Sequence, residues 1–226
     1  MTAERPNPNE TRFPSYRSMR PSHREIDSLP KPRERKIWIA EPKWDGIGVS
    51  VEISPGLVQI FTDSGKRGSS RRNVTSHFPE LIDGLSLIKH SVKLHGEIIS
   101  GSGTTLQERQ RAITRSTSKP PVFLPKEREF SLMVFDITFL NGGGLRDRVL
   151  MERKRQLAKV VPRSLAALGI IRNVYTRRLQ RMLTEAIAYK MEGIVLKRID
   201  SKYTPGESPN WLKLKPKPEG QTSSTT

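Results

Sequence analysis

Lys43 lies in the segment of this 226-residue chain with the clearest chemical potential, Lys43-Trp44-Asp45-Gly46. A lysine amine can attack an electrophilic phosphorus and carry the transferred group as a covalent adduct, once the amine has lost its proton. Nearby cations or a metal would favour that loss. Ile37, Ile39 and Glu41 before the motif, and Ile47, Val49, Val51 and Ile53 after it, recur at every second position, as the residues on one face of a β-strand do. The sequence therefore places Lys43 between two strands, where it is either a nucleophile or an ordinary surface lysine in a turn.

Two glutamates stand beside glycines at the expected ends of short strands. Glu97 lies in His95-Gly96-Glu97-Ile98-Ile99, and Glu192 opens Glu192-Gly193-Ile194-Val195-Leu196-Lys197. A carboxylate in such a position could bind a ribose hydroxyl or Mg²⁺. Taken singly, each is more often a solvated acid at the end of a strand.

The segment Trp211-Leu212-Lys213-Leu214-Lys215 alternates basic and apolar residues. Because successive side chains of a strand point to opposite faces, Lys213 and Lys215 share one face and the two leucines share the other. Two ammonium groups could thus face a phosphate while the leucines face the core. A solvated basic edge strand is the alternative interpretation.

Strand patterns outnumber helix patterns along the chain. Strands are predicted on both sides of a hairpin turn at Ser54-Pro55-Gly56, and over Phe130 to Leu140, which is apolar on both faces and therefore central and buried. Further strands are predicted from Val92 to Ile98, Gly193 to Ile199 and Trp211 to Lys215. Helices are predicted from Thr105 through Ile113, from Arg146 to Val160 and from Leu179 to Ile187. Hairpins mixed with isolated helices indicate an α+β domain built on antiparallel sheets.

The charge of the chain points to a polyanionic partner. Forty Lys and Arg against 23 Asp and Glu give a formal net charge of +17, which favours nucleic acid through phosphate contacts and counterion release. A solvated basic surface or a ribosome-associated protein is the alternative. The chain has no Cys, which excludes disulfides and thiolate metal sites. No apolar run approaches the roughly 20 residues of a membrane span, and we expect a cytoplasmic protein with no membrane contact.

Composition divides the chain into three regions. Residues 1–35 carry six prolines and seven arginines, which predicts a basic, mostly extended arm that contacts DNA, serves as a linker or packs on the domain. Residues 36–218 show no internal repeat and should form one continuous domain. Residues 219–226 form a polar tail with no residue suited to a core.

Five segments taken together are more specific than any one of them. They are Glu41 to Gly46, His95 to Ile99, Phe135 to Gly142, Glu192 to Lys197 and Trp211 to Lys215. In this order and spacing they resemble the motifs of the adenylation domain of ATP-dependent DNA ligases, over roughly residues 37 to 217. The resemblance implies a nucleotidyltransferase (ATP-grasp-like) fold of antiparallel sheets packed with helices.

The resemblance also implies a role for each matching residue. Lys43 would attack the α-phosphate of ATP with the help of Mg²⁺, carry AMP and pass it to the 5′-phosphate of nicked duplex DNA. Glu41 would contact the adenine amino group, Glu97 the ribose and Glu192 a metal. Phe135 would stack on adenine, although the apolar strand around it would by itself favour a core position. Other positions that match nucleotide-binding residues of the family are Asp45, Gly46, Arg153, Lys197, Lys213 and Lys215.

Two departures from the family pattern shape the expectations. Gly48 stands where the family has an arginine two residues after the motif glycine. The missing guanidinium should weaken phosphate binding unless Lys66, Arg67, Arg71 or Arg72 substitutes for it. In the family the Trp-x-Lys-x-Lys strand is followed by an OB-fold domain that closes over the nucleotide. We expect no OB-fold domain here. The chain is then a fragment, a minimal enzyme, or a unit whose closing domain comes from a protein partner; its oligomeric state has no signal in the sequence.

Two other functions are compatible with these residues. An RNA ligase or a capping-type nucleotidyltransferase shares the Lys-x-Asp-Gly core, although the segments Phe78-Pro79-Glu80 and Asp200 to Gly206 are more like those of DNA ligases. A catalytically degenerate DNA-binding repair accessory would keep the fold and the basic charge without completing the reaction.

Overall fold

The computed structural model describes residues 13–22, 25–26, 28–62, 71–100, 130–189 and 191–215, which form three sheets and three α-helices. The strands are β1 (Met19–Pro21), β2 (Glu25–Ile26), β3 (Trp38–Lys43), β4 (Ile47–Ser54), β5 (Leu57–Thr62), β6 (Val92–Ser100), β7 (Phe130–Leu140), β8 (Gly143–Gly144), β9 (Ile170–Arg172), β10 (Gly193–Arg198), β11 (Gly206–Ser208) and β12 (Trp211–Leu214). The helices are α1 (Pro79–Ser86), α2 (Leu150–Val160) and α3 (Leu179–Ala188), with 3-10 segments at Pro32–Ile37, Thr75–His77 and Arg163–Leu168.

A six-stranded sheet carries the main core. Its strand order is β5-β4-β6-β7-β8, with β9 beside β7. The predicted hairpin is confirmed, since Ser54 pairs with Leu57 on either side of the turn. Strand β7 has neighbours on both sides, as its apolar sequence predicts. Residues from one face of the sheet and from helices α1 and α2 pack together in the core, among them Val51, Leu94, Ile98, Leu132, Phe78, Leu81 and Leu157.

A four-stranded sheet of order β2-β12-β10-β3 forms the second layer. In β10, Ile194 and Leu196 point to the face that packs against Leu179, Met182 and Ala186 of helix α3. Leu212 and Leu214 of β12 pack in the same cluster, so the intervening residues of each strand point to the opposite face. The predicted alternation of this last strand is confirmed.

Part of the region predicted as an N-terminal arm packs on the domain. Met19 is buried, its backbone N–H donates to the Tyr203 hydroxyl at 2.8 Å, and β1 pairs in parallel with β11. Tyr16 donates from its hydroxyl to Thr138 Oγ1 at 2.5 Å. Residues 13–22 therefore belong to the fold, and residues 1–12 lie outside the described residues.

The helices differ from the sequence patterns in three places. Helix α2 begins at Leu150, four residues later than predicted, and the helix predicted from Thr105 lies outside the described residues. Helix α1 was not predicted. Its eight residues, which include Gly84, make too few turns for a clear periodic pattern. Helix α3 has the predicted buried stripe except for Ile187, which is 52% exposed near its end.

The α+β fold and its mainly antiparallel pairing agree with the prediction, with three parallel pairings added. These are β1 with β11, β2 with β12, and β7 with β9. Within the described part of the chain, the longest helix has 11 residues, and none is long and apolar enough to span a membrane.

Arg153 and Asp136 form a fully buried ion pair between α2 and β7. The guanidinium donates to both carboxylate oxygens, at 2.8 and 3.0 Å, and to the carbonyl oxygens of Arg148 and Ser201. Burial by itself would raise the pKa of Asp136, but Arg153 outweighs it and holds that pKa below its ordinary value. The pair therefore fixes α2 against the central strand.

Replacing Arg153 with Ala should lower the free energy of unfolding by about 3–5 kcal/mol, because Asp136 would remain buried without its partner. Urea unfolding followed by circular dichroism measures the change. The matched control is Arg181→Ala, which breaks the exposed pair with Glu185 on α3 and should leave stability nearly unchanged. Equal stability of the two variants would contradict this account of the pair.

Candidate active site

A cleft of about 960 Å³ lies between the six-stranded and four-stranded sheets. The small sheet contributes Glu41, Lys43, Val195, Lys197, Trp211 and Lys213 to it, with Lys215 just beyond β12. The large sheet contributes Gly48, Glu97 and Phe135, and the remaining walls include Arg17, Trp44, Asn173 and Glu192. One face of each sheet packs against helices, so the opposite face of each sheet borders this cleft.

Lys43 lies at the end of β3, where the chain turns from the small sheet to the large one. Its ammonium group donates to Glu192 Oε2 in a short ion pair, and Lys215 Nζ lies 3.3 Å from the other oxygen of the same carboxylate. The side chains of Lys43 and Glu192 are 20% and 23% exposed. The amine predicted as a nucleophile is thus reachable from the cleft and is paired with Glu192.

Gly193 explains how Glu192 comes to lie opposite Lys43. In the pairing of β10 with β3, Gly193 is the direct partner of Lys43. Its φ of +149° is one that residues with a side chain rarely adopt, and an added Cβ would lie 2.3 Å from the Leu214 carbonyl oxygen. The Glu-Gly pair therefore allows β12 to approach closely while Glu192 turns into the cleft.

Gly46 and Glu97 join the turn after Lys43 to the large sheet. The Gly46 backbone N–H donates to Glu97 Oε1 at 2.8 Å, and an added Cβ at Gly46 would lie 2.1 Å from the Ile98 carbonyl oxygen. Burial raises the pKa of Glu97 to about 7, although Lys43 and the Gly46 N–H each lower it in part. Glu97 is therefore a carboxyl group that changes its charge near neutral pH.

Glu41 is a buried carboxylate surrounded by donors. It pairs with Lys154 through Oε1, and its Oε2 accepts from Lys197 and from Asn173, each at 2.8 Å. Burial alone would raise the pKa of Glu41, but the two lysines hold it below its ordinary value. Burial also lowers the pKa of Lys197 to about 8, against the opposing effect of Glu41. This group joins β3, β10, α2 and the end of β9.

Phe135 does line the cleft, in a wall that it shares with Trp211 and Lys197. The two rings meet edge to face with centroids 5.9 Å apart, and Lys197 Nζ lies 3.8 Å from the Trp211 ring centroid and 4.5 Å from that of Phe135. The register between β6 and β7 shifts between His95 and Gly96, so Phe135 has no direct cross-strand partner. Phe130, Leu132 and Val134 pack in the main core, so the alternation along β7 points Phe135 to the opposite face, toward the cleft.

The structure brings most of the predicted site residues into this cleft. Glu41, Lys43, Glu97, Phe135, Glu192, Lys197, Lys213 and Lys215 all line it. Asp45 does not, and Gly46 takes part through its backbone rather than at the cleft wall. Arg153 is fully buried, and its hydrogen bonds to Asp136, Arg148 and Ser201 hold its guanidinium away from the cleft. We therefore assign Arg153 a structural position instead of the phosphate contact implied by the resemblance.

The roles of three residues near Glu41 were not predicted from the sequence. Asn173 follows β9, accepts from Trp44 Nε1 at 2.9 Å and donates to Glu41, so it joins the residue after Lys43 to the buried carboxylate. Lys154 lies in a helix whose sequence looks like an ordinary charged surface. The indole of Trp44 and the amide of Asn173 are 129 residues apart in the chain, and no local pattern marks such a pair.

A metal ion bound in this cleft would take only some of its ligands from the protein, and the others from a bound nucleotide and water. Among the described residues, no three His, Cys, Asp or Glu side chains are grouped so that they could hold a metal ion. Mg²⁺ usually takes one or two carboxylates and fills its remaining positions with phosphate oxygens and water. Glu192, partly exposed in the cleft, fits that arrangement.

Solved structures with the same fold contain nucleotidyltransferase domains of DNA ligases. A mycobacterial DNA ligase D complexed with ATP and MES is 23% identical, with a TM-score of 0.62 over 88% of this chain and 60% of that one. Chlorella virus DNA ligase-adenylate is 18% identical, with a TM-score of 0.59 over 88% of this chain and 67% of that one. The predicted nucleotidyltransferase fold is thereby confirmed.

The sequence comparisons define the family. The model of the ATP-dependent DNA ligase domain matches residues 22–215, so the chain belongs to this family. It is 33% identical to a DNA ligase of Methanothrix thermoacetophila over 187 residues, and 30% identical to a probable DNA ligase of Koribacter versatilis over 206 residues. Each match covers 78% of this chain, but only 32% and 34% of those proteins, so the chain spans about a third of their length.

Replacing Glu97 with Gln should stabilise the protein increasingly as the pH rises. Folding raises the pKa of this carboxyl from 4.5 to about 7, so between these values the unfolded state ionises first and the wild type loses stability. The glutamine stays neutral and keeps an oxygen to accept from Gly46. Its advantage in free energy of unfolding should grow by up to about 3 kcal/mol between pH 4.5 and 7 and then level off.

Urea unfolding at a series of pH values measures this advantage. Asp147→Asn, at a side chain that is 96% exposed, serves as the control and should show no comparable trend. A difference between wild type and Glu97→Gln that stays constant with pH would contradict the raised pKa.

Proposed function

We propose that this protein is the adenylation domain of an ATP-dependent DNA ligase and that Lys43 carries AMP as a covalent intermediate. The observation that carries the proposal is the position of the Lys43 amine. It opens onto a cleft of nucleotide size, between Glu192 and Glu97, in a chain of the ATP-dependent DNA ligase domain family. Membership of the family supports the use of ATP.

In the first step the Lys43 nitrogen attacks the α-phosphorus of ATP. A nitrogen–phosphorus bond forms, the bond from the α-phosphorus to the oxygen bridging to the β-phosphate breaks, and pyrophosphate leaves with that electron pair. The amine must lose a proton, and its ion pair with Glu192 must open before it can attack. When Mg²⁺ is bound, it neutralises charge on the phosphates; Glu192 is the residue that would hold it.

The other residues of the cleft suit the parts of a nucleotide. Lys213 and Lys215 face the cleft from one side of β12 and would bind phosphates, while Phe135 would lie against the adenine. A carboxylate accepts about four hydrogen bonds, and Glu41 has three contacts, so one position is left for the adenine amino group. Glu97 would contact the ribose.

The later steps need a DNA substrate. AMP would pass from Lys43 to the 5′-phosphate at a nick in duplex DNA, and attack by the adjacent 3′-hydroxyl would release AMP and seal the strand. The net charge of +17 suits such a polyanion. Because relatives are about three times as long, the domain that closes over the nucleotide would come from further sequence or from a protein partner. We expect the protein to act in the cytoplasm, with the DNA.

Incubation with ATP labelled at the α-phosphate should attach label to the wild-type protein, and Lys43→Ala should abolish it, because the substitution removes the amine that would carry AMP. Gel electrophoresis under denaturing conditions measures the label. Lys89→Ala, which removes an exposed lysine near the start of β6, is the matched control and should label like wild type. Equal labelling of Lys43→Ala and wild type would refute the assignment.

Two extensions of this experiment test the rest of the proposal. Unlabelled ATP should compete with the label and GTP should not, whereas competition by GTP would favour a capping-type enzyme. Nicked DNA should discharge the labelled protein more readily than nicked RNA. A protein that seals pre-adenylated nicked DNA but takes no label from ATP would have lost the first step.

A further inference from the structure

Gly48 leaves a gap in the wall of the cleft. It is the direct partner of Glu97 in the pairing of β4 with β6, and it lines the cleft without offering a side chain. The resemblance noted above places an arginine at this position in related ligases. A phosphate bound beside Glu97 would therefore lack a guanidinium unless another part of the chain provides one.

The basic loop after β5 does not provide it within the described residues. The Arg71 guanidinium donates to Glu52 at 2.6 Å and to Ser50 at 3.2 Å, and it lies over the Phe61 ring. Arg72 is exposed and does not line the cleft. Lys66 and Arg67 lie outside the described residues.

Arg17 reaches the cleft from a backbone that is held on both sides. On one side, Tyr16 donates to Thr138, and its ring lies under two cations, Lys93 at 4.4 Å and Arg146 at 4.6 Å. On the other side, the buried Ser18 hydroxyl is hydrogen bonded to His95 Nδ1 at 2.9 Å. The backbone of Arg17 is thus held in place before any ligand binds, which reduces the entropic cost of using this residue.

The charge on Arg17 is not paired with a carboxylate in the part of the chain that the structure describes. Its side chain is exposed and lines the cleft, and it makes no hydrogen bond or ion pair with any described residue. By contrast, Lys43, Lys197 and Lys215 are all paired with carboxylates. A cation that is positioned but not paired is available to a phosphate.

Arg17 also lies close to the gap at Gly48. The residue beside it, Ser18, contacts His95, whose partner on β4 is Ser50. Glu97 and Gly48 are the next pair on the same face of the sheet, about 7 Å along the strands. An extended arginine side chain can span such a distance.

We propose that Arg17 binds phosphate in the cleft and supplies the guanidinium that β4 lacks at Gly48. The phosphate belongs either to the triphosphate of ATP or to the 5′ end of the nick, and the experiment below separates the two. The inference rests on the proposed function, because it assumes that the cleft binds these substrates.

The test compares four proteins: wild type, Arg17→Ala, Arg17→Lys and Arg33→Ala. Arg33 is the matched control, because it belongs to the same N-terminal region, its side chain is 79% exposed, and it does not line the cleft. Thermal melting should be unchanged in all variants, since Tyr16 and Ser18 make the contacts that hold this segment. One measurement is the ATP concentration that gives the half-maximal rate of Lys43 labelling. The other is the affinity for nicked DNA with a 5′-phosphate, relative to nicked DNA with a 5′-hydroxyl.

If Arg17 contacts the triphosphate, Arg17→Ala should raise the half-maximal ATP concentration about tenfold, with a smaller rise for Arg17→Lys. If it contacts the nick, the preference for the 5′-phosphate should fall about tenfold instead. Arg17→Ala values equal to those of Arg33→Ala in both measurements would overturn the inference. That outcome is distinct from failure of the proposed function, in which wild type takes no label from ATP or Lys43→Ala takes as much as wild type.

Discussion

The contacts of Lys154 fix the positions of the six-stranded and four-stranded sheets relative to helix α2. Its ammonium group, buried on helix α2, donates to the Phe135 carbonyl oxygen on β7 at 2.7 Å and pairs with Glu41 on β3. A buried charge that loses its partner costs several kcal/mol, so neither sheet can move away from α2 without that penalty. Glu41 in turn holds Lys197 and Asn173. The width of the cleft therefore depends on one buried cation that does not line it.

Local patterns in the sequence predicted those parts of the fold that depend on local geometry. The alternation at Lys213 and Lys215 predicted which way they face, and the turn after Ser54 predicted the hairpin. The order of five segments predicted that Lys43, Glu97 and Glu192 would meet, although nearly 150 residues separate the first from the last. For the hairpin and for the two lysines, the relevant information lies within a few residues of the motif. For the three distant residues, only the resemblance of the five segments implied that they share a site.

What escaped prediction depends on contacts between distant segments. The composition of residues 1–35 left packing on the domain as one of three alternatives, but it could not indicate that Met19 and Tyr16 would make the contacts. Arg153 occupies a position typical of phosphate ligands in the family, yet the buried Asp136 takes its guanidinium. Whether an arginine faces a ligand or a buried acid is decided by the packing of α2 on β7, which one-dimensional spacing does not encode.

The raised pKa of Glu97 couples ligand binding to protons. The cleft contains this carboxyl close to Lys43 and Glu192, and its protonation near pH 7 responds to any charge brought beside it. A phosphate placed there favours proton uptake, and a cation favours proton release. Heats of nucleotide binding near neutral pH should therefore vary with the ionisation enthalpy of the buffer. Calorimetry would then report proton uptake or release by Glu97 together with the binding itself.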